Sequence, residues 1–196
     1  MIMAAALIVS GTVTATAADN SKTDNDSYVI EQDEYFSDSQ TANGMEVDGE
    51  TATSGDGVVS RLAVTEEFYK ISGETEISGG AAFSDTDSAS VLWAYKNEIA
   101  SGFGDGTFKP DEPVNREQLA VMVYNYVRYT GGDVSNIEGM AIYNFRDYPE
   151  ISDWALTAVR YCLNSAVISG NDDMTYNPKG YVSVSELSEI LLKIKK

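Results

Sequence analysis

The sequence predicts a mainly α-helical protein built from helix–turn–helix units behind a long acidic stretch. Three observations carry that expectation. Residues 102–127, GFGDGTFKPDEPVNREQLAVMVYNYV, run from a glycine-aspartate turn through two proline brakes into a helix cap and an amphipathic helix. Gly102, Pro110 and Asn115 recur as Gly170, Pro178 and Ser183, each 68 residues on, so turn, brake and cap repeat without slippage. Residues 19–57 hold eleven acidic side chains against Lys22 alone, a composition that cannot bury enough apolar surface to offset the entropy of ordering.

Residues 1–18, MIMAAALIVSGTVTATAA, form an apolar run ending in small residues with Ala15-Thr16-Ala17 as a cleavage site. That is the form of a secretory signal peptide without its positive n-region, and it is too short to cross a bilayer. Residues 19–57 are expected to be a disordered, solvated tether with traces of a decayed repeat. They supply much of the net charge of −18. With no basic stripe, bulk electrostatics gives no reason to expect nucleic acid or anionic lipid as a partner. The chain has no histidine and one cysteine, which removes His-dependent catalysis and any internal disulfide. Cys162 is expected to be a small buried apolar group, with no neighbouring base to activate it.

Phe36-Ser37-Asp38 recurs as Phe83-Ser84-Asp85 and as Phe145-Arg146-Asp147. Residues 58–80 read as the second helix of a first unit that has lost its leading helix, followed by the linker ETEISGG. Ser60-Arg61 stands where Asn115-Arg116 stands later, and Val64, Phe68 and Ile71 share one side. Residues 81–131 form the second unit. Its first helix carries Val91, Leu92, Tyr95 and Ile99 inward and ends near Gly102, expected as a left-handed C-cap. Its second helix starts from an Asn115-x-x-Gln118 capping box and carries Leu119, Met122, Val123 and Tyr126. Residues 132–196 are a linker and a third unit, with Trp154, Ala158 and Cys162 on one helix. A second capping box, Ser183-x-x-Glu186, precedes Leu187, Ile190, Leu191 and Ile194.

The order of parts in GFGDGTFKPDEPVNREQLAVMV, together with FSD at the front of a unit, WA in its first helix and SG at that helix's end, resembles the S-layer homology motif. The resemblance covers residues of about 58–196, with weaker traces from 36. It implies a pseudo-threefold helical bundle, secretion to the wall or surface of a Gram-positive-type cell, and non-covalent anchoring. The partner it implies is a secondary cell-wall polymer, a polysaccharide carrying a pyruvylated sugar. It implies no catalytic role, no cofactor, no metal, and no membrane contact once the signal is removed.

A guanidinium can grip a pyruvate carboxylate with two parallel hydrogen bonds while an aromatic ring covers the sugar's apolar face. The polysaccharide-binding residues implied are Arg116, Trp154, Asp85, Arg61 and Asp147, with one groove of Arg116, Trp154 and Asp85 expected to be the most complete. Two departures matter: the third unit has Val184 at the arginine position, and the second has a shortened loop after Asp85 that shifts Trp93 to a core-facing position. A calcium loop starting at Asp105 fails because Arg116 falls at the twelfth position, where a carboxylate is required. A glycosidase would need two convergent carboxylates on a catalytic domain, and the repeats leave no room for one. The competing expectation is a degenerate scaffold or protein-interaction module at the cell surface that no longer binds sugar.

Overall fold

The computed structural model describes residues 57–195 apart from positions 76, 78 and 140. The expected signal peptide and acidic tether therefore lie outside the described residues. Among the described residues five α-helices are present: α1 (Arg61–Ser72), α2 (Ala89–Lys96), α3 (Arg116–Tyr129), α4 (Leu156–Asn164) and α5 (Val184–Ile194), with short 3-10 turns between α3 and α4. Among the described residues there is no β-strand, in agreement with the expected helical class.

Three backbone segments before α1, α3 and α5 meet in a closed ring. The Val59 N–H donates to the Val182 carbonyl, Val182 to Val114, and Val114 back to Val59, each at 2.9 Å. Around that triangle, Arg61 N–H bonds the Glu112 carbonyl, Arg116 that of Gly180, and Val184 that of Gly57, at 2.9–3.0 Å. Isolated bridges join Ser60 to Pro113, Asn115 to Tyr181 and Ser183 to Val58, each cap pairing with the residue two before the next cap. This is a pseudo-threefold arrangement in which α1 fills one corner. The side chains of Val59, Val114 and Val182 are all buried.

Each helix starts where its cap dictates. Ser60, Asn115 and Ser183 are extended, and their side chains accept from the N–H three residues on. The Asn115–Gln118 box is complete. At Ser183 only half of the expected box forms, because the Glu186 carboxylate turns to the Arg116 guanidinium instead. A charge-assisted bond to a buried cation outweighs one to a backbone amide.

The core is centred on α3, which buries Leu119, Ala120, Val121, Met122, Val123 and Tyr126. α1 meets it through Phe68, whose ring lies 4.9 Å from that of Tyr126. α2 packs along α1 and α4 along α3, so each leading helix covers the preceding unit's second helix. Trp93 is in the core, against Tyr69 at 5.4 Å and Tyr129 at 5.5 Å. Cys162 is buried, its Sγ 3.6 Å from the Ala120 carbonyl, and burial pushes the thiol's pKa up, so it is inert as a nucleophile.

Three sequence expectations need correction. α2 ends at Lys96, and the left-handed residue is Glu98 (φ 57°), matched by Ala166 (φ 53°) after α4. Gly102 is required for a different reason: a Cβ there would run into the Phe83 ring and the Thr107 carbonyl, just as one at Gly170 would meet Phe145. Tyr95 is exposed rather than inward, its place on the buried face taken by Trp93 and Ala94, although its ring still meets Phe83 at 5.1 Å. Trp154 sits in a 3-10 turn, Asp153–Ala155, ahead of α4 rather than within it.

Candidate functional site

The two complete turns are built alike. Asp105 accepts from the Thr107 N–H at 2.9 Å and hydroxyl at 2.6 Å; Asp173 does the same with Thr175 at 3.1 and 2.6 Å. These bonds draw the pKa of both carboxyls below the usual value, the threonine hydroxyl contributing most. The aspartates of the FxD motifs clamp the far arm of the same turns. Asp85 accepts the amides of Phe108 (2.9 Å) and Lys109 (2.7 Å), and Asp147 those of Tyr176 (2.8 Å) and Asn177 (2.6 Å). Desolvation works to raise the Asp85 pKa, but those amide bonds outweigh it and the net shift is downward.

The two arginines reach forward from a helix start into the next unit's clamped turn. Arg61 donates Nε to the Phe108 carbonyl (2.8 Å) and Nη2 to that of Ser101 (2.7 Å). Arg116 repeats this on Tyr176 (2.8 Å) and Ser169 (2.6 Å). Arg61 is fully buried, its guanidinium carbon 4.3 Å from the Phe108 ring centroid and 4.8 Å from that of Phe103. Burial lowers its pKa to about 10, against the pull of Glu112 and Asp85. Arg116 lies 4.9 Å over the Tyr176 ring and pairs through Nη1 with Glu186; burial lowers its pKa too, opposed by Tyr176 and Asp147.

The grouping of the expected site residues therefore changes. Asp85 belongs with Arg61 at the first junction, and Asp147 with Arg116 at the second, because each arginine grips the turn of the following unit. Trp154 is linked to the second junction through the chain. It stands two residues after Ser152, whose N–H and hydroxyl bond the carboxylate of Glu117, the neighbour of Arg116, at 3.0 and 3.1 Å. Trp154 is half-buried, packed against the rim of the core.

Sequence reasoning missed a cluster at this junction. Glu117 is buried in the first turn of α3 and pairs with Lys179, whose Nζ also lies 2.7 Å from the Ser152 hydroxyl. Lys179 itself is more than half exposed. Its position directly after Asn177-Pro178, in the turn that Arg116 grips, was the available signal. The second junction thus brings the Lys179 ammonium and the Ser152 hydroxyl onto the Glu117 carboxylate, next in the chain to Arg116. At the first junction Leu62 stands where Glu117 stands here, and Asp111 where Lys179 stands.

Comparison with known proteins agrees with this repeat structure. The S-layer homology domain family matches residues 83–120 and 144–183. Over 138 residues the chain is 28% identical to Cell surface glycoprotein 1 of Acetivibrio thermocellus, covering 65% of this chain and 6% of that protein. Over 146 residues it is 25% identical to the Cellulosome-anchoring protein of the same organism, covering 65% of this chain and 30% of that protein. An Endoglucanase of Bacillus sp. strain KSM-635 is 34% identical over 86 residues, 44% of this chain and 9% of that protein. The chain thus spans less than a third of the length of each of these relatives. Residues 83–120 and 144–183, whose turns, aspartate clamps and gripped carbonyls correspond residue for residue, are thus two repeats of the S-layer homology domain family.

Proposed function

We propose that this chain is a non-catalytic anchoring module that holds its polypeptide to a bacterial cell wall by binding an acidic wall polysaccharide, a pyruvylated secondary cell-wall polymer, in the groove of the second junction. The relatives named for cell-surface and anchoring roles support the general reading, and secretion through the signal-like segment 1–18 is part of the proposal. The observation that carries the ligand assignment is the pairing of Arg116 with the part-exposed Glu186 at the second junction. The Glu186 carboxylate occupies the place a ligand carboxylate would take, so that Nη1 is the one Arg116 donor with a carboxylate rather than a backbone carbonyl as its partner.

In this reading the ligand carboxylate displaces Glu186 and is gripped by Arg116 and the Lys179 ammonium, while the Trp154 ring covers the sugar's apolar face. Asp147 holds the turn that forms the groove wall. Arg61 and Asp85 hold the equivalent wall of the first junction, whose guanidinium is sealed away from solvent.

Co-sedimentation with isolated Gram-positive cell walls, before and after removal of the non-peptidoglycan polymer, tests this. Trp154→Ala is expected to weaken wall binding about tenfold or more, the loss of roughly 1.4 kcal/mol or more at an aromatic anchor. Glu186→Gln, which frees the guanidinium edge, is expected to tighten it. Arg116→Ala is expected to weaken it about ten- to a hundredfold, a charge-assisted bond being worth about 1.5–3 kcal/mol. Unchanged binding in all three folded variants would favour the second reading, a scaffold without sugar binding. That reading has its own support: both arginines spend Nε and Nη2 on the protein's own carbonyls.

A further inference from the structure

The threefold ring is complete, but among the described residues its outer layer is not. Nine residues after their caps, α1 and α3 present Tyr69 and Tyr124, and each is covered by an aromatic of a leading helix: Tyr69 by Trp93 at 5.4 Å, Tyr124 by Tyr161 at 5.5 Å. Five residues after the caps, Thr65 meets Ser90 of α2, and the Ala120 carbonyl meets Cys162 of α4. The same two positions on α5 are Ser188 and Leu192, and no leading helix lies along α5 among the described residues. Leu192 is 77% exposed and Val184 52%; with Ser188 they make a stripe at i, i+4 and i+8.

The stripe continues past the start of the helix. Val58 is 57% exposed and pairs with Ser183 on the ring beside Val184, whose N–H bonds the Gly57 carbonyl. Val58, Val184 and Leu192, all exposed large apolar side chains, thus lie on this one face. The Val184 exposure has the same origin as that of Leu192. Arg61 and Arg116 are buried by the turn of the following unit, and here no such turn is present among the described residues.

We propose that this face is the docking site for a segment of the chain's own N-terminal region, residues 27–38, SYVIEQDEYFSD. The chain enters the ring at Gly57, directly against the start of α5, so preceding residues are delivered to the face at high effective concentration. Eighteen residues separate Asp38 from Gly57. They reach about 60 Å when extended, against roughly 16 Å for the length of α5. Those eighteen are too few and too polar to supply a helix and turn, having only Met45 and Val47 as large apolar residues. Asp85 to Glu112 and Asp147 to Gly180 take 27 and 33 steps, whereas Asp38 to Gly57 takes 19. Residues 27–38 carry Tyr28, Val29, Ile30, Tyr35 and Phe36, the large apolar content of an otherwise polar stretch. Their Glu31, Asp33, Glu34 and Asp38 are complementary to the exposed Lys193 and Lys195 at the end of α5.

The test places the photo-crosslinking residue p-benzoylphenylalanine at position 192 of the full chain and maps the products by mass spectrometry. Intramolecular cross-links to residues 27–38 are expected. They should fall at least fivefold in a Tyr28→Ser, Tyr35→Ser, Phe36→Ser variant whose helical circular dichroism is unchanged. Amide exchange in 27–38 should be slowed at least tenfold in the parent chain and return to the unprotected rate in Leu192→Asp. Cross-links confined to pairs of chains would assign the face to a second copy and overturn the proposal. Fast exchange throughout 27–38, or cross-links that ignore the triple substitution, would overturn it as well.

Discussion

At the first junction the Arg61 guanidinium is sealed against Phe103 and Phe108, whereas at the second the Arg116 guanidinium lies on Tyr176 with one edge turned to Glu186. The backbone task is common to both, down to matching carbonyl partners. The surroundings are not. Leu62 and Asp111 at the first junction become a buried glutamate and an exposed lysine at the second, bridged by Ser152. The fold needs the two carbonyl bonds, and only what lies around the guanidinium is free to vary. An arginine in this motif is therefore first a structural pin. It can meet a ligand only where its outer edge is left to a replaceable partner.

The strongest way to break this comparison is Arg61→Ala. It removes two charge-assisted hydrogen bonds from a fully buried site, at roughly 1.5–3 kcal/mol each, so a loss of about 3–6 kcal/mol in urea unfolding is expected. A loss under about 1 kcal/mol would show that the guanidinium does not hold the turn. Next come the glycines under the FxD phenylalanines. Gly102→Ala is expected to cost about 2–3 kcal/mol and Gly170→Ala about 1–2 kcal/mol, within the range for overpacking. The order follows from the obstacle: at Gly102 a rigid backbone carbonyl of Thr107 lies 2.6 Å from the new Cβ, whereas at Gly170 the close atoms belong to the Phe145 ring. A reversed order in thermal unfolding would mean the Phe145 ring is the less able to move.

The smallest effect is on pH dependence. Asp85, Asp105 and Asp173 have pKa values held below the 3.8 of an unstrained aspartate. Their stabilisation is therefore complete above that value and is lost as pH falls through the lowered folded values. All three are exposed, so the drop in melting temperature between pH 5 and pH 2 should be modest. Asp105→Asn keeps a side-chain acceptor without a titration, and its melting temperature should fall less over the same interval. An identical fall would remove the Asp105–Thr107 turn from the acid response.

Helix starts were the most legible part of the sequence, because a cap is decided within four residues: Ser60, Asn115 and Ser183 all begin helices where their side chains dictated. What failed depended on contacts distant in sequence. The second half of the Ser183 box was lost to Arg116, 70 residues away. The role of Gly102 was set by Phe83 rather than by the end of α2. The grouping of Asp85 with Arg116 failed for the same reason, since nothing local says that an arginine reaches into the following unit instead of its own. The Glu117–Lys179–Ser152 cluster joins three elements and leaves no periodic trace. Val184 looked like a simple loss of arginine. Among the described residues no turn lies at that corner, so a guanidinium there would find no described carbonyls to grip.

The closed triangle of Val59, Val114 and Val182 has a consequence for how the chain acquires its shape. The last of its bonds joins positions 59 and 182, so the ring cannot shut until all three segments are available. A chain leaving the ribosome or an export channel from its N-terminus can pair Val59 with Val114 early, but that hairpin of units stays ajar until residues 180–184 emerge. Closure over such a long loop is slow compared with forming any single helix. An open solenoid can fray one repeat at a time from its ends. Here the segment before α1 is held by the one before α5, and a nick or truncation that removes either should release both together.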